Sequence, residues 1–473
     1  MPVRRTRRSF LKRLALAGLA GPTLLASRAA RTVGAATGDR PPNVLFIAVD
    51  DLNDWVGCLG GHPDTKTPHI DRLAARGQVF TNAMCPGPAC IPSRTALMTG
   101  MAPARSGVYT NFAGFFRQHA HLKDVVTLPQ HFRAHGYEAL GTGKVFHHHD
   151  AASWDAYGTV TYWENPTPDG YKESNGDRTR EWVPLDVPNE QMTDWGIADW
   201  AIRHLKRDHA KPFFLACGFY RPHEPWFVPQ AYHDRFDLES LHLPPIKADD
   251  LEDLDPRRAH KQRTALKCVA DPALHRRGVR SYLASIAFAD DCVGRVLDAL
   301  DASPHRDHTI VFLWSDHGFH LGEKFHWSKF TLWEESARCV LICDVPGVTR
   351  PGARCDEPVN LQDMYPTLAD LCGLPRRADL DGTSFLPQLK DPAAARRRPS
   401  ITANDQGSFS LRFKEWRYIH YRNGAEELYH HKKDPMEWDN LAGRPEHRDR
   451  IKRFAAFLPN DPAPALDVRK KNR

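Results

Sequence analysis

Three runs of consecutive apolar residues occur along the chain, at residues 43–49, 212–219 and 309–314. Uninterrupted runs of this length are typical of strands that are buried on both faces of a parallel sheet. Polar residues follow each run closely: Asp50 and Asp51 after the first, Arg221 and His223 after the second, and Asp316 and His317 after the third. Since ligands bind beyond the carboxyl ends of strands in open parallel sheets, these side chains indicate one common site.

Helical patterns lie between these predicted strands, at residues 71–78, 194–206 and 280–301. Strands that alternate with helices predict an α/β fold with a mostly parallel sheet flanked by helices. The composition changes near residue 390, where a charged, proline-containing stretch is followed by short alternating segments. We therefore predict a large domain over residues 37–390. A smaller C-terminal antiparallel sheet domain would cover residues 391–473, with a hairpin turn at Asn423-Gly424.

The N-terminal segment carries most of the basic charge of the chain. The formal net charge is +6, but residues 1–36 contain eight Lys or Arg and no acid, which leaves +6 − 8 = −2 for the rest. The order of this segment is that of a twin-arginine export signal: Arg7-Arg8 and Phe10, an apolar run over residues 14–25, then small residues up to Ala36. The run is shorter than the ~20 residues of a membrane-spanning helix.

The N-terminus therefore predicts a periplasmic or secreted protein without a stable membrane span, and the charge balance excludes a nucleic-acid partner. The twin-arginine translocase, which carries folded proteins, would be a partner during export. Ten cysteines in 473 residues are too few for a disulfide scaffold, and their spacing matches no zinc template. Most should be buried apolar groups, and one or two disulfides remain open.

One cysteine lies in a motif that carries chemistry, Cys90-Ile91-Pro92-Ser93-Arg94, followed by Thr99-Gly100. Pro92 suits the first turn of a helix, which would place Cys90 at a helix N-terminus, where amide groups favour an anion. In this motif the chain resembles the type I sulfatase family. That resemblance implies an alkaline-phosphatase-like fold, and it implies that a formylglycine-generating enzyme oxidises Cys90 to formylglycine, whose hydrate attacks a sulfate ester. Taken alone, a cysteine is more often a buried apolar residue.

The resemblance also implies one bound calcium ion. Asp50 and Asp51 match the family's metal pair, and Asp316 and His317 complete the ligand set together with the residue at position 90. Carboxylate oxygens suit calcium better than zinc, although Asp after a strand also commonly caps a helix or forms a turn. Many sulfatases carry Asn where this chain has His317, and Asp-His at this point resembles the iduronate-2-sulfatase-like group.

The same resemblance assigns five further catalytic residues. Lys144 and Lys329 would contact the sulfate, and either Lys329 or His223 would protonate the leaving oxygen. Arg94 would hold the formylglycine hydrate, and His147 would accept the proton that starts sulfate release. The Gly-Lys-x-x-His spacing favours His147 over its two histidine neighbours. Without the family context, the lysines would be interpreted as surface charges and the histidines as structural residues.

These residues predict a sulfuric ester hydrolase that acts on a sulfated carbohydrate, with 2-O-sulfated uronates as the sharpest hypothesis. Two alternatives remain: a phosphonate or phosphate monoesterase of the same fold, and a non-catalytic protein that binds sulfated glycans. Trp226, Trp327 and Arg221 could line a sugar site or belong to the core. Asp363 and Asp381 are interpreted as helix-capping and turn residues rather than as catalytic groups.

Overall fold

The computed structural model describes residues 40–158, 165–171, 178–257 and 261–469. The predicted export signal, residues 1–36, lies outside the described residues. Among the described helices, none combines the length and the apolar character that crossing a membrane requires.

The strands and helices follow one another in the alternation that the sequence predicts. The strands are β1 (Asn43–Val49), β2 (Gln78–Phe80), β3 (Ala83–Met84), β4 (Glu138–Gly143), β5 (Ala156–Gly158), β6 (Phe213–Phe219), β7 (Thr309–Ser315), β8 (His320–Leu321), β9 (Trp327–Ser328), β10 (Leu341–Asp344), β11 (Ala353–Cys355), β12 (Val359–Asn360), β13 (Ser400–Asp405), β14 (Ser408–Arg412), β15 (Trp416–His420) and β16 (Glu426–His430). The helices are α1 (Pro68–Arg76), α2 (Cys90–Thr99), α3 (Pro103–Ser106), α4 (Leu128–Ala134), α5 (Thr193–Leu205), α6 (Gln230–His233), α7 (Arg263–Ala270), α8 (Pro272–Asp301), α9 (Glu334–Ala337), α10 (Met364–Leu371), α11 (Leu386–Lys390) and α12 (Arg448–Ala455).

The main sheet has eight strands in the described part of the chain, in the order β11-β2-β10-β7-β1-β6-β4-β5. β1 pairs in parallel with both β6 and β7, and β4 pairs in parallel with β6 and β5. β10 runs antiparallel to β7 and β2, so the sheet is mixed but mostly parallel. The predicted fold class is confirmed.

The sheet is covered on both faces, and its central strands β1, β6 and β7 are buried at every position. On β1, Leu45, Ile47 and Val49 pack in a core with α1, α5 and α8. Val44 and Phe46 point to the opposite core, which contains residues of α2, α4 and α10. Burial of both faces explains why β1 reads as a continuous apolar run rather than an alternating one.

A second sheet, β13-β14-β15-β16, is antiparallel throughout, as predicted for the C-terminal region. β15 and β16 are joined by the Asn423-Gly424 hairpin, in which Gly424 has φ +84°. The sheet packs against the segment before α2, since the Ala403 amide donates to the Pro86 carbonyl over 2.9 Å. The domain boundary near residue 390 stays a prediction.

All ten cysteines lie within the described residues and are free thiols, nine of them buried. This arrangement agrees with the prediction that most are apolar core residues.

Candidate active site

Four adjacent parallel strands, β7-β1-β6-β4, deliver the predicted site residues to one edge of the sheet. Asp50 and Asp51 follow β1, Asp316 and His317 follow β7, Lys144 and His147 follow β4, and His223 follows β6. Parallel strands place their carboxyl ends at the same edge, which is where open α/β sheets bind ligands. The structure therefore brings together side chains that are far apart in the sequence. Asp50 and Lys329, for example, are 329 − 50 = 279 positions apart.

Cys90 is the first residue of α2 and is fully buried. Its sulfur lies 3.2 Å from Lys329 Nζ, 3.6 Å from Lys144 Nζ and 3.3 Å from His317 Nε2. Burial alone would raise the pKa of the thiol, but these three groups act in the opposite direction and hold the pKa of Cys90 well below its usual range. The position therefore stabilises negative charge on the atom attached to the Cys90 Cβ.

Three carboxylates and one imidazole surround this sulfur. Ligand atoms of Asp50, Asp51, Cys90, Asp316 and His317 all lie within 4.8 Å of one another, and all five side chains are buried. The Asp51 backbone amide donates to Asp316 Oδ1 over 3.1 Å, which links the end of β1 to the end of β7. Two ligands on opposite sides of a calcium ion are separated by ~5 Å, so a cluster of this size can surround one ion.

The orientation of His317 is set by its own backbone. The Gly318 carbonyl can only accept, so the 2.9 Å contact with Nδ1 places a proton on that nitrogen. Nε2 then faces Asp51 Oδ1 at 3.3 Å and the Cys90 sulfur. Burial opposes the charged form, yet Asp316 beside the ring raises the pKa of His317 to about 10. A protonated Nδ1 with Nε2 aimed at carboxylates is also the arrangement of a metal-ligating histidine.

Arg94 pairs with two carboxylates of the cluster. Its Nε donates to Asp316 Oδ2 over 2.8 Å and its Nη2 donates to Asp50 Oδ1 over 3.0 Å. The remaining donor, Nη1, reaches the carbonyls of Lys144 and Val145. Although burial opposes the charge, Asp316 and Asp50 raise the pKa of Arg94 above its ordinary value, so it stays a cation. Within this structure, Arg94 connects the ends of three strands.

The two lysines each pair with one carboxylate of the cluster. Lys144 Nζ donates to Asp50 Oδ2, and Lys329 Nζ donates to Asp51 Oδ1 over 2.6 Å. Both ammonium groups are buried, and their paired carboxylates outweigh that burial and raise the pKa of each lysine. Asp316 differs from Asp50, whose pKa Lys144 and Arg94 lower, because burial raises the pKa of Asp316 to about 7 despite Arg94. A bound cation would favour its ionised form.

The histidines lie at the more open side of the cluster. His147 forms a hydrogen bond with the Cys90 sulfur, whereas the rings of His148 and His149 pack on Phe115 and Tyr157 at 6.1 Å and 4.3 Å. His223 Nε2 lies 4.0 Å from Asp51 Oδ2, and its Nδ1 faces the Glu224 carbonyl. Because a carbonyl only accepts, Nδ1 carries a proton and donates it to Glu224, and Nε2 is the nitrogen that faces the site.

The loop that carries Lys329 has an unusual backbone. Ser328 and Phe330, the residues on either side, have φ of +80° and +77°, a left-handed region that side chains rarely adopt. Two hydrogen bonds fix Phe330 in this conformation: its amide donates to the Pro88 carbonyl over 3.0 Å, and its carbonyl accepts from Asn404 Nδ2 over 3.1 Å. Residues with such φ values often belong to functional sites, and here they direct Lys329 toward Cys90.

Some supporting residues carry no sequence signal. Tyr282, on α8, donates its hydroxyl to the Asp51 carbonyl over 2.7 Å, and Asn111 accepts the Ile91 amide in the first turn of α2. The third supporting residue is Asn404 of the C-terminal sheet, which donates to the Phe330 carbonyl. These contacts join distant parts of the chain, and only the tertiary fold identifies them.

Of the two alternatives for Trp226 and Trp327, a sugar site or the core, the structure supports the core, since these residues are 0% and 1% exposed. Trp182 stacks with both, at ring distances of 5.7 Å and 4.8 Å, so they are core residues. Arg221 is also buried, with Nε directed at the Phe227 carbonyl. Asp363 and Asp381 accept backbone amides, from Asn360 and Ala102 among others, in agreement with their structural interpretation.

The fold and the site together define an alkaline-phosphatase-like hydrolase of sulfate esters. The sulfatase family model matches residues 42–374, and the model of the N-sulphoglucosamine sulphohydrolase C-terminal region matches residues 322–460. The chain belongs to the sulfatase family, and the predicted class of enzyme, a sulfuric ester hydrolase, is confirmed.

Two curated relatives and one solved structure show how far the similarity extends. A sulfatase from Formosa agariphila is 35% identical over 438 residues, covering 88% of this chain and 86% of the relative. Human iduronate 2-sulfatase is 31% identical over 385 residues, covering 70% of this chain and 69% of the relative. A solved structure of a 2-O GAG sulfatase superimposes with a TM-score of 0.69 at 23% identity, covering 88% of this chain and 91% of that one. The last comparison establishes the fold alone.

Proposed function

We propose that the protein is an exported sulfatase that removes sulfate esters from carbohydrates, with 2-O-sulfated uronate residues of sulfated glycans as its substrate class. The observation that carries the proposal is the position of Cys90, at a helix N-terminus between two buried lysines and against a carboxylate cluster. Similarity to iduronate 2-sulfatase supports the 2-O-sulfated uronate. The twin-arginine sequence of residues 1–36 supports export to the periplasm or medium.

The proposed nucleophile is a formylglycine made from Cys90. The hydrate of that aldehyde supplies one hydroxyl that attacks sulfur and a second whose ionisation releases sulfate. Ammonium groups at 3.2 Å and 3.6 Å from the Cys90 sulfur are placed to hold the sulfate oxygens as their charge grows. A donor of this kind typically contributes ~3 kcal/mol in the transition state.

Two histidines are placed to move protons on either side of this reaction. His147 contacts the atom attached to the Cys90 Cβ, so it can take the proton whose loss starts sulfate release. Burial lowers the pKa of His147, which favours the neutral ring that a base requires. His223 directs Nε2 toward the site from the segment after the neighbouring strand β6, and it or Lys329 can give a proton to the leaving oxygen.

The same residues fit one calcium ion. Asp50, Asp51 and Asp316 offer six carboxylate oxygens and His317 adds Nε2, a donor set dominated by the oxygen ligands that calcium prefers. When bound, the ion would polarise the nucleophilic oxygen at position 90 and one sulfate oxygen. Arg94, which bridges Asp50 and Asp316, holds both carboxylates in position for this role.

Co-expression with a formylglycine-generating enzyme, followed by mass analysis of the peptide that contains residue 90, tests the proposal. We expect the mass loss of thiol-to-aldehyde conversion, and hydrolysis of a 2-O-sulfated uronate disaccharide in the presence of calcium. The Cys90→Ala chain is the matched control and should be inactive. A chain that keeps its thiol under these conditions would favour the non-catalytic glycan-binding alternative. Faster turnover of a phosphonate monoester than of any sulfate ester would favour the monoesterase.

A further inference from the structure

A cavity of about 560 Å³ lies on the C-terminal sheet, away from the residues of the active site. Its wall is formed by the start of β15, the end of β16, the segment that follows β16, and α12. We name it the Trp416 cavity after the aromatic residue in its wall. The proposed reaction uses none of its residues.

The cations of the Trp416 cavity form no ion pair within the part of the chain that the structure describes. Lys433, Arg444 and Arg450 line it, and none of the three has a carboxylate partner among the described residues. Because a side-chain cation that lacks a partner attracts anions from solution, the three residues give this wall an anion-binding character.

The carboxylates of the cavity are already engaged elsewhere. Glu415 lies 3.8 Å from Lys432 and 4.0 Å from His430, and Asp439 lies 3.5 Å from Lys247. Asp434 accepts the backbone amides of Trp438 and Asp439 over 3.0 Å and 2.9 Å. Glu415 and Asp439 thus face lysines outside the wall, so the three cations of the wall outnumber the one remaining carboxylate, Asp434, and the charge that remains for a ligand is positive.

Trp416 gives the cavity an aromatic surface. The Arg450 guanidinium lies 3.7 Å from the centre of its ring, and the ring of His430 lies 4.3 Å away at an interplanar angle of 62°. A guanidinium held on an aromatic face keeps its donors in a fixed plane that matches carboxylate and sulfate oxygens. Aromatic rings combined with a few fixed polar groups are also the usual lining of small-ligand sites.

We propose that the Trp416 cavity is a second binding site for anionic saccharide, which holds a sulfate or carboxylate group of a sulfated uronate chain at a distance from Cys90. The choice of this ligand class rests on the proposed function, while the anion-binding character rests on the cavity itself. It would act as an anchor for long substrates.

The cavity and the active site lie toward opposite ends of the same small sheet. Trp416 begins β15 and pairs with His430, whereas His420 ends β15 and pairs with Glu426. Asn404, which holds Phe330 beside Lys329, lies at the His420 end of the sheet. Four residue steps along a strand correspond to ~13 Å, so one sulfate group cannot occupy both sites.

Binding is measured first, on the full-length Cys90→Ala chain, so that the result does not depend on turnover. The probe is a size-defined heparin oligosaccharide, titrated by calorimetry. We expect Lys433→Ala/Arg444→Ala to bind it about tenfold more weakly, equivalent to about 1.4 kcal/mol. The matched control, Lys206→Ala/Lys390→Ala, removes the same charge from exposed positions elsewhere and should bind normally.

Equal affinity of the two double variants would overturn the proposal. Equal competition by a DNA oligonucleotide of the same charge would also overturn it, because the cavity would then recognise charge and not saccharide. In the formylglycine-containing enzyme, the cavity variant should raise KM for the oligosaccharide about tenfold and leave kcat/KM for a small aryl sulfate unchanged. An enzyme that binds normally but lacks turnover would contradict the proposed function and leave the cavity proposal standing.

Discussion

Arg94 shows how a single buried residue can hold the carboxylates of a site together. Its guanidinium neutralises Asp50 and Asp316, and both carboxylates are fully buried. Replacing Arg94 with Met would leave two buried carboxylates short of a partner, and we expect a loss of ~3–5 kcal/mol in the free energy of unfolding. Urea unfolding of the parent and the variant measures this loss. Arg105→Met, which breaks an exposed pair with Asp381, should cost less than ~1 kcal/mol.

Lys329 should matter for turnover more than for folding. Its ammonium group lies 3.2 Å from the Cys90 sulfur, where it can stabilise charge on the sulfate. We expect Lys329→Ala to lower kcat/KM by ~10²–10³. Inhibition by inorganic sulfate should weaken as well, because the same cation would hold the product. The formylglycine content must equal that of the parent enzyme, and Lys390→Ala is the control. A decrease below tenfold would assign Lys329 a structural role.

At the scale of elements, the ends of β4 and β6 meet more closely than a side chain would allow. A Cβ at Gly218 would lie 2.2 Å from both the carbonyl carbon and the oxygen of Lys144. Gly218→Ala must therefore displace Lys144, at a cost of ~1–3 kcal/mol in stability together with reduced kcat. Gly443→Ala, at a position with open space, should change neither quantity. Unchanged kcat in Gly218→Ala would show that the site tolerates movement of Lys144.

The central strands could be predicted because burial on both faces leaves a pattern that few other elements share. The same patterns located helix α8 but placed its start at residue 280, whereas it begins at Pro272 after the cap Asp271. Gly278 interrupts the helical pattern there. A Cβ at Gly278 would lie 2.9 Å from Trp327, so close packing explains the glycine in the helix, and no local rule could have indicated it.

The site residues were accessible from the sequence because they follow recognisable strands or belong to one motif. Their supports were not, since Tyr282 reaches Asp51 from α8 and Asn404 reaches Phe330 from the second sheet. The sequence left Trp226 and Trp327 open between a sugar site and the core for a related reason. Whether an aromatic residue after a strand is buried depends on what packs over it, here Trp182.

For the molecule as a whole, three histidines predict sensitivity to acid. Burial lowers the pKa of His131, His204 and His233 to about 4 from an ordinary value of 6.5. Between these values the unfolded chain binds more protons than the folded one. The contribution of these three histidines to the free energy of unfolding should therefore fall as the pH decreases from about 6.5 to about 4, whereas buried carboxyl groups with a raised pKa, such as Asp194 at about 6, act in the opposite direction.

Urea unfolding across this pH range measures the effect, and His233→Phe should flatten the dependence. Neither ring nitrogen of His233 has a hydrogen-bond partner among the described residues, so the substitution removes no hydrogen bond. Replacement of the exposed His121 with Phe provides the comparison and should leave the slope unchanged. If His233→Phe left the slope unchanged too, this histidine would not contribute to the acid sensitivity.

The ion pairs of Lys144 with Asp50 and of Lys329 with Asp51 have a thermodynamic consequence. Both ammonium groups now serve as counter-ions to carboxylates that would also hold the calcium ion. With calcium on those carboxylates, the two lysines would be released toward the sulfate, so each ligand would increase the affinity for the other by the same factor. Calcium would then be a heterotropic activator as well as a structural ion, and its concentration would set how tightly the enzyme holds its sulfated substrate.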